Sequence, residues 1–82
     1  MKNIYTLKEL KNLNIGDKVL LSFKDFNDNE GFELEESEVA IIDSDNIYFN
    51  NDYGTWDFPL SGNNSSIANQ YTGDYEFTIY KK

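Results

Sequence analysis

After Gly16 the spacing of apolar residues changes from three or four to two, and the new period governs nearly everything that follows. Val19, Leu21 and Phe23 alternate with Lys18, Ser22 and Lys24, the pattern of a strand with one face in a core and the other in water. The same rule places strands near Ser37–Asp43, Asn46–Asn50, Thr55–Phe58 and Tyr75–Tyr80. Their inward residues are then Val39, Ile41, Ile47, Phe49, Trp56, Phe58, Phe77 and Ile79. Helical spacing occurs only before Gly16. Thr6 and Glu9 can form a capping box, Tyr5 can staple onto Leu10, and Leu7, Leu10 and Leu13 give one apolar face. A short helix over residues 6–13 is expected, ended by Asn12, Asn14 and Gly16.

The connections suit a β-rich domain. Asp43-Ser44-Asp45-Asn46 and Asn50-Asn51-Asp52-Tyr53-Gly54 are rich in residues that cap their own backbone or accept a left-handed conformation, so they should close tight hairpins. Ser61 to Asn69 is the longest polar stretch, and Gly62 to Ser66 reads as the most mobile loop. With 82 residues the chain reads as one domain, 1–82, whose β-rich body runs over 17–82. A chain of this length buries roughly 60–65% of its unfolded surface. About five strands in an antiparallel meander plus one short N-terminal helix match a small SH3-like or OB-like barrel, where curling protects the sheet edges. Lys18-Val19 after Ile15-Gly16-Asp17 resembles the first-strand entry of SH3-like domains.

Charge is distributed as unevenly as the apolar period is regular. From Asp25 to Tyr80 there are thirteen carboxylates and no Lys or Arg, and all seven cations are lysines outside that stretch. The formal net charge is −8. Such a body repels nucleic acid and anionic membrane and attracts basic partners over about a Debye length, ~8–10 Å. With neither Cys nor His the sequence offers no thiolate or imidazole for zinc, haem or iron–sulfur, and no cofactor is expected. No apolar run approaches ~18 residues and the segment Met1–Tyr5 has no signal-like apolar region, so the expectation is a soluble, cytoplasmic protein.

Four constellations need weighing. Asp25, Asn27, Asn29 and Glu36 fall at positions one, three, five and twelve of a calcium loop. Gly31 comes one position after the required turn, and the flanks read as strand, so an acidic hairpin loop is the better reading. Paired carboxylates can serve acid/base chemistry in a cleft. With no His, Cys, Arg or phosphate loop to accompany them, they point to a protein that is not an enzyme. Among the aromatics, Phe23, Phe49, Trp56, Phe58 and Phe77 read as core. Tyr48, Tyr53, Tyr71 and Tyr80 read as partly exposed contact area, since Tyr buries much area at small entropic cost. A stacking platform for single-stranded nucleic acid would also need a basic groove, which is absent.

The acidic run is the fourth. In an extended strand Glu33 and Glu35 would repeat on one side every ~6.6–6.8 Å, comparable to successive phosphates on a nucleic-acid strand. The candidate partner-binding residues are Asp28, Glu30, Glu33, Glu35, Glu36, Glu38, Asp43, Asp45 and Asp52, with Tyr48 and Tyr53. Two-sign mixing would serve solubility equally well, so segregation is the feature that favours a functional face.

In size, acidity, Cys-free composition and β-rich pattern the chain resembles small phage-encoded inhibitors of nucleic-acid enzymes, the uracil-DNA glycosylase inhibitors and the anti-CRISPR proteins. The resemblance implies a stoichiometric anti-defence inhibitor, a nucleic-acid mimic whose carboxylates occupy the basic groove of a nuclease such as a CRISPR effector. The other reading is a housekeeping SH3-like protein-interaction module with incidental acidity.

Overall fold

In the computed structural model, which describes residues 3–61 and 66–82, the capping box forms as the sequence requires. Thr6 Oγ1 accepts the Glu9 amide at 3.1 Å and Glu9 Oε1 accepts the Thr6 amide at 3.0 Å. The helix α1 spans only Leu7–Leu10, shorter than the 6–13 expected. Its last turn tightens at once: the Asn12 amide donates to the Glu9 carbonyl and the Leu13 amide to the Leu10 carbonyl, the three-residue spacing that ends helices. The Asn14 amide then leaves for Asp17 Oδ2. Leu7 and Leu10 are buried, with Tyr5 and Leu13 packed against the same core. Gly16, at φ +98°, turns the chain into the sheet, and its amide reaches the Val39 carbonyl at 2.8 Å.

Among the described residues six strands follow: β1 (Lys18–Asp25), β2 (Glu30–Ile42), β3 (Asn46–Asn51), β4 (Gly54–Pro59), β5 (Asn69–Tyr71) and β6 (Tyr75–Tyr80). They form one antiparallel sheet in the order β4-β3-β2-β1-β6-β5. The first four make the expected meander. The chain then crosses to the opposite edge, and β6 docks on the free side of β1. The sheet curls into a half-barrel whose edges, β4 and β5, are not paired with each other. β5 is the strand that sequence pattern missed, because three residues, Asn69, Gln70 and Tyr71, are too few to show a period. The Gly62–Ser66 stretch read as a mobile loop lies, apart from Ser66, outside the described residues.

Residues 3–5 and 68 close one end of the curl. The Tyr5 amide donates to the Ile79 carbonyl, the Ala68 amide to the Tyr5 carbonyl and the Ile79 amide to the Ala68 carbonyl. Beneath them Leu10, Val19, Leu21, Val39, Ile47, Phe49, Ala68 and Ile79 are wholly buried.

Two bulges in β2 set the register. Leu21 pairs with Glu35 but Phe23 with Phe32, so β2 carries one extra residue there; farther on, Val39 pairs with Phe49 and Ile41 with Tyr48, a second extra residue. Each bulge exchanges the two faces of the strand beyond it. The second overturns the expectation that Ile41 faces inward. Ile41 is 55% exposed, and Ile42 packs against the core instead. At the first bulge Leu34 adopts φ +51°, and its amide is satisfied by Ser22 Oγ at 2.9 Å.

Gly31 has a structural duty at this hairpin. It pairs with Lys24 so closely that a Cβ there would lie 2.1 Å from the Phe23 carbonyl oxygen and 3.0 Å from the Lys24 Cα. The glycine that sits one place late for a calcium turn is the one that lets β2 approach β1. Replacing Gly31 with Ala must push backbone apart, which is expected to destabilise the fold by about 3 kcal/mol. Urea denaturation measures this. A Gly31→Ala midpoint equal to that of the wild type would contradict the close approach.

Candidate functional site

The first bulge decides where the acidic residues point. Between the bulges Ser37 and Val39 face the core, so Glu36 and Glu38 face away from it, while Glu35, paired with buried Leu21, lies on the core side. Beyond the bulge the faces exchange: Phe32 turns toward the core and Glu33 joins the face of Glu36 and Glu38. Glu33 and Glu35 therefore do not form the one-sided carboxylate repeat expected of an unbroken strand. Glu35 can sit on the core side because β3 begins pairing only at Glu38, so its head group reaches water at the strand's open edge. Glu35, Glu36, Glu38 and Asp52 line one shallow groove of about 410 Å³ together with Lys18 and Asn50.

The other candidates divide between the two ends of the sheet. Asp28, in the β1–β2 turn, and Glu30, at the start of β2, stand at the same end as Asp52 and Tyr53 in the β3–β4 turn. Asp43 and Asp45 stand at the far end, in the β2–β3 turn. Tyr48 is half-buried on the outward face of β3, flanked in register by Ile41 and Asp57.

Folding also mixes charges that the sequence keeps apart. Lys18 lies opposite Glu38 across the β1–β2 pair and bonds it at 2.9 Å, Lys82 pairs with Glu36, and Lys81 pairs with Glu9. The Lys82 hydrogen bond and charge hold the Glu36 carboxyl below its ordinary value of 4.5; Lys81 and the Thr6 amide do the same for Glu9. The Glu38 hydrogen bond raises Lys18 above 10.5. Several Asp side chains are occupied by turns: Asp25 Oδ1 accepts the Asn27 and Asp28 amides, and Asp43 Oδ1 those of Asp45 and Asn46. Glu36, bonded to Lys82, is five ladder positions from Asp25, and among the described residues no cluster of three acids is placed to hold a metal.

Beside the carboxylates the core-side face carries a run of rings that sequence pattern did not connect. Exposed Tyr53 stacks on Phe32 at 4.9 Å and 15°, Phe32 meets Trp56 edge-on at 5.2 Å, and Trp56 meets Phe23 at 4.9 Å. Phe23 continues to Tyr75 and Phe77. Asn51 holds this assembly. Its Oδ1 accepts the Tyr53 amide at 2.9 Å and the Trp56 Nε1 at 3.1 Å, and its Nδ2 donates to buried Ser37 Oγ at 3.0 Å. The composite is an amphipathic surface, in which the ring assembly held by Asn51 adjoins the groove lined by Asn51, Glu35 and Asp52. Compared with known protein families, curated proteins and solved structures, the chain has no match.

Two tests follow from this geometry. Asn51→Ala removes the acceptor of the Trp56 N–H and the Tyr53 amide and one of the two bonds of the Ser37 hydroxyl, which still donates to the Glu35 carbonyl; this is expected to cost about 1–3 kcal/mol and to increase Tyr53 mobility, read by denaturation and by proton NMR of the Tyr53 ring. The ion pairs set a pH window. A carboxyl depressed in the folded state contributes fully above 4.5 and loses its contribution as pH falls through the folded value; a raised Lys18 contributes fully below 10.5 and loses it as pH rises through the folded value. The wild type should therefore melt above Glu36→Gln at neutral pH, with the gap closing below pH 4.5. A gap unchanged down to pH 2 would remove the Lys82 pairing.

Proposed function

We propose that the protein is a non-catalytic, acidic binding protein that inhibits a nucleic-acid enzyme by occupying its basic binding surface, in the manner of phage-encoded anti-defence proteins that block a nuclease such as a CRISPR effector. The observation carrying this reading is the carboxylate surface that remains after internal pairing is counted. Asp28, Glu30, Glu33, Glu35, Asp45 and Asp52 have no lysine within ion-pair distance among the described residues, and five of the six are exposed. Displacing nucleic acid from a basic channel requires reproducing its charge, and opposite fields can speed association by about 10–10³. The stacked Tyr53, Phe32 and Trp56 supply apolar area beside that charge. A nucleic-acid ligand is disfavoured by the same field.

A second reading, a housekeeping protein-interaction module with incidental acidity, draws on those aromatics, since ring-lined grooves bind extended peptides. One comparison separates the two. In a DNA-cleavage assay with a panel of CRISPR nucleases, the wild type should block cleavage at stoichiometric amounts. The triple variant Asp28→Asn, Glu35→Gln, Asp52→Asn should lose at least tenfold in association rate while melting at about the same temperature. If no nuclease is inhibited and Tyr53→Ala alone abolishes binding to a partner that the triple variant still binds, the interaction-module reading replaces the inhibitor.

A further inference from the structure

The sheet face that turns away from the core holds a second depression, between the β1–β2 hairpin and β6. It encloses about 600 Å³ and its lining includes Ser22, Lys24, Glu33, Glu76, Thr78 and Tyr80. Ser22 and Thr78 are cross-strand neighbours. Thr78 lies between Phe77 and Ile79, which both enter the core, so its side chain points the other way; yet it is only 2% exposed. No group among the described residues hydrogen-bonds the Thr78 hydroxyl, although no fully sealed side-chain polar atom among them lacks a partner. The hydroxyl therefore keeps a narrow opening into the groove it lines, largely desolvated and with no protein partner among the described residues, a state that favours a ligand able to bond it.

The charges around it are also unspent. Lys24 faces Glu76 in register, but its Nζ lies over the Phe26 ring, 5.6 Å from the centroid, and among the described residues it makes no ion pair. Glu33 and half-buried Glu76 are thus left without a lysine partner, unlike Glu36 and Glu38. Ser22 Oγ, by accepting the Leu34 amide, holds the bulge that turns Glu33 to this face. The groove joins separate acceptors, the carboxylates of Glu30, Glu33 and Glu76 and hydroxyl oxygens, within one depression beside the Tyr80 side chain.

We propose that this groove seats an arginine side chain of the protein partner, with the guanidinium donating to Glu33, Glu76 and Thr78. The proposal rests on the inhibitor reading for the partner's basic character and names the part of the surface that takes its anchor. Arginine fits better than lysine because a planar fork with five donors can serve several separated acceptors at once, whereas an ammonium offers three donors at a single point. A phosphate would meet carboxylates, and an apolar side chain would leave the acceptors unpaired.

The probe is N-acetylargininamide, which carries only the guanidinium charge, titrated into the isotopically labelled full chain by NMR. Saturable shifts should centre on Ser22, Glu33, Glu76, Thr78 and Tyr80. N-acetyllysinamide should bind at least threefold more weakly. Glu76→Gln should weaken arginine binding about tenfold, the loss of a charge-assisted bond, and Thr78→Val should weaken it severalfold in a folded protein. Exposed Glu33→Gln provides the same reading should Glu76→Gln unfold. Shifts spread evenly over Asp28, Asp45 and Asp52, equal lysine affinity, or carboxamide variants that bind within twofold of wild type would each overturn the seat. These results would leave the inhibitor reading to its own assay, because Asp28, Glu35 and Asp52 lie outside the groove. Conversely, an arginine seat in a chain that inhibits no nuclease would reject that reading and keep the groove.

Discussion

The structure depends on how one long strand is bent. β2 runs from Glu30 to Ile42, more than twice the length of its partner β3, and a strand that long cannot follow a curled sheet without relief. Its two extra residues provide it, one opposite Ser22 and one between Val39 and Ile41. Bulges raise local twist and bend a strand. Only Glu38 is in register with both β1 and β3; the portion after it pairs with β3 alone, while the portion before it pairs with β1 alone and projects with the hairpin. Gly31 and Ser22 are the enabling residues, the first by allowing close backbone approach and the second by satisfying the Leu34 amide at its left-handed position. Core, aromatic run and acidic face all take their orientation from this bend.

The parts legible in the sequence are those where neighbouring residues specify each other. Thr6 and Glu9 are three apart and cap reciprocally whatever the rest of the chain does. Val19, Leu21, Phe77 and Ile79 alternate without interruption, and all four are in the core. Bulges are different, because the extra residue is set by the partner strand. Nothing local to Val39-Ala40-Ile41 tells that the period breaks there, so Ile41 reads as core and emerges exposed. Phe32 sits within an acidic run and looks like a loop residue until the bulge turns it onto Trp56 and Tyr53. Gly31 carries the same ambiguity: a glycine among acids suggests a metal turn, and only the distance to the Phe23 carbonyl reveals its purpose. Asn51 could have been singled out as a turn residue, but not its bonds to Ser37 and Trp56, which join three strands.

Segregation of charge along the sequence overstated segregation in space. β1 lies between β2 and β6, so the lysine-bearing N-terminal segment is brought against the acidic body, and Lys81 and Lys82 return to it after β6. Glu38, Glu36 and Glu9 are each met by a lysine. These pairs are half-exposed and contribute little to stability, but they change which acids remain without a lysine beside them. The formal charge is still −8, so the long-range field persists while its local source moves to the turns, to Glu33 and to Glu76.

Field and fit then have separate structural origins. A field over a body of 32 × 28 × 26 Å falls off within about one Debye length, ~8–10 Å, and does not depend on which carboxylates supply it. It can hasten encounter with any basic surface without choosing among them. Choice requires groups that are costly to leave unmatched, and these are few: the Thr78 hydroxyl, half-buried Glu76, and the rings of Phe32 and Trp56, which water solvates poorly. The first bulge links the two sets, since the exchange of faces that puts Glu33 at the rim of the groove also puts Phe32 beneath Tyr53. Removing the bulge would slip β2 by one residue before Glu35, burying a carboxylate and exposing an aromatic ring. The acidic face and the aromatic run are therefore one construction, and a change that tunes one through the backbone cannot leave the other in place.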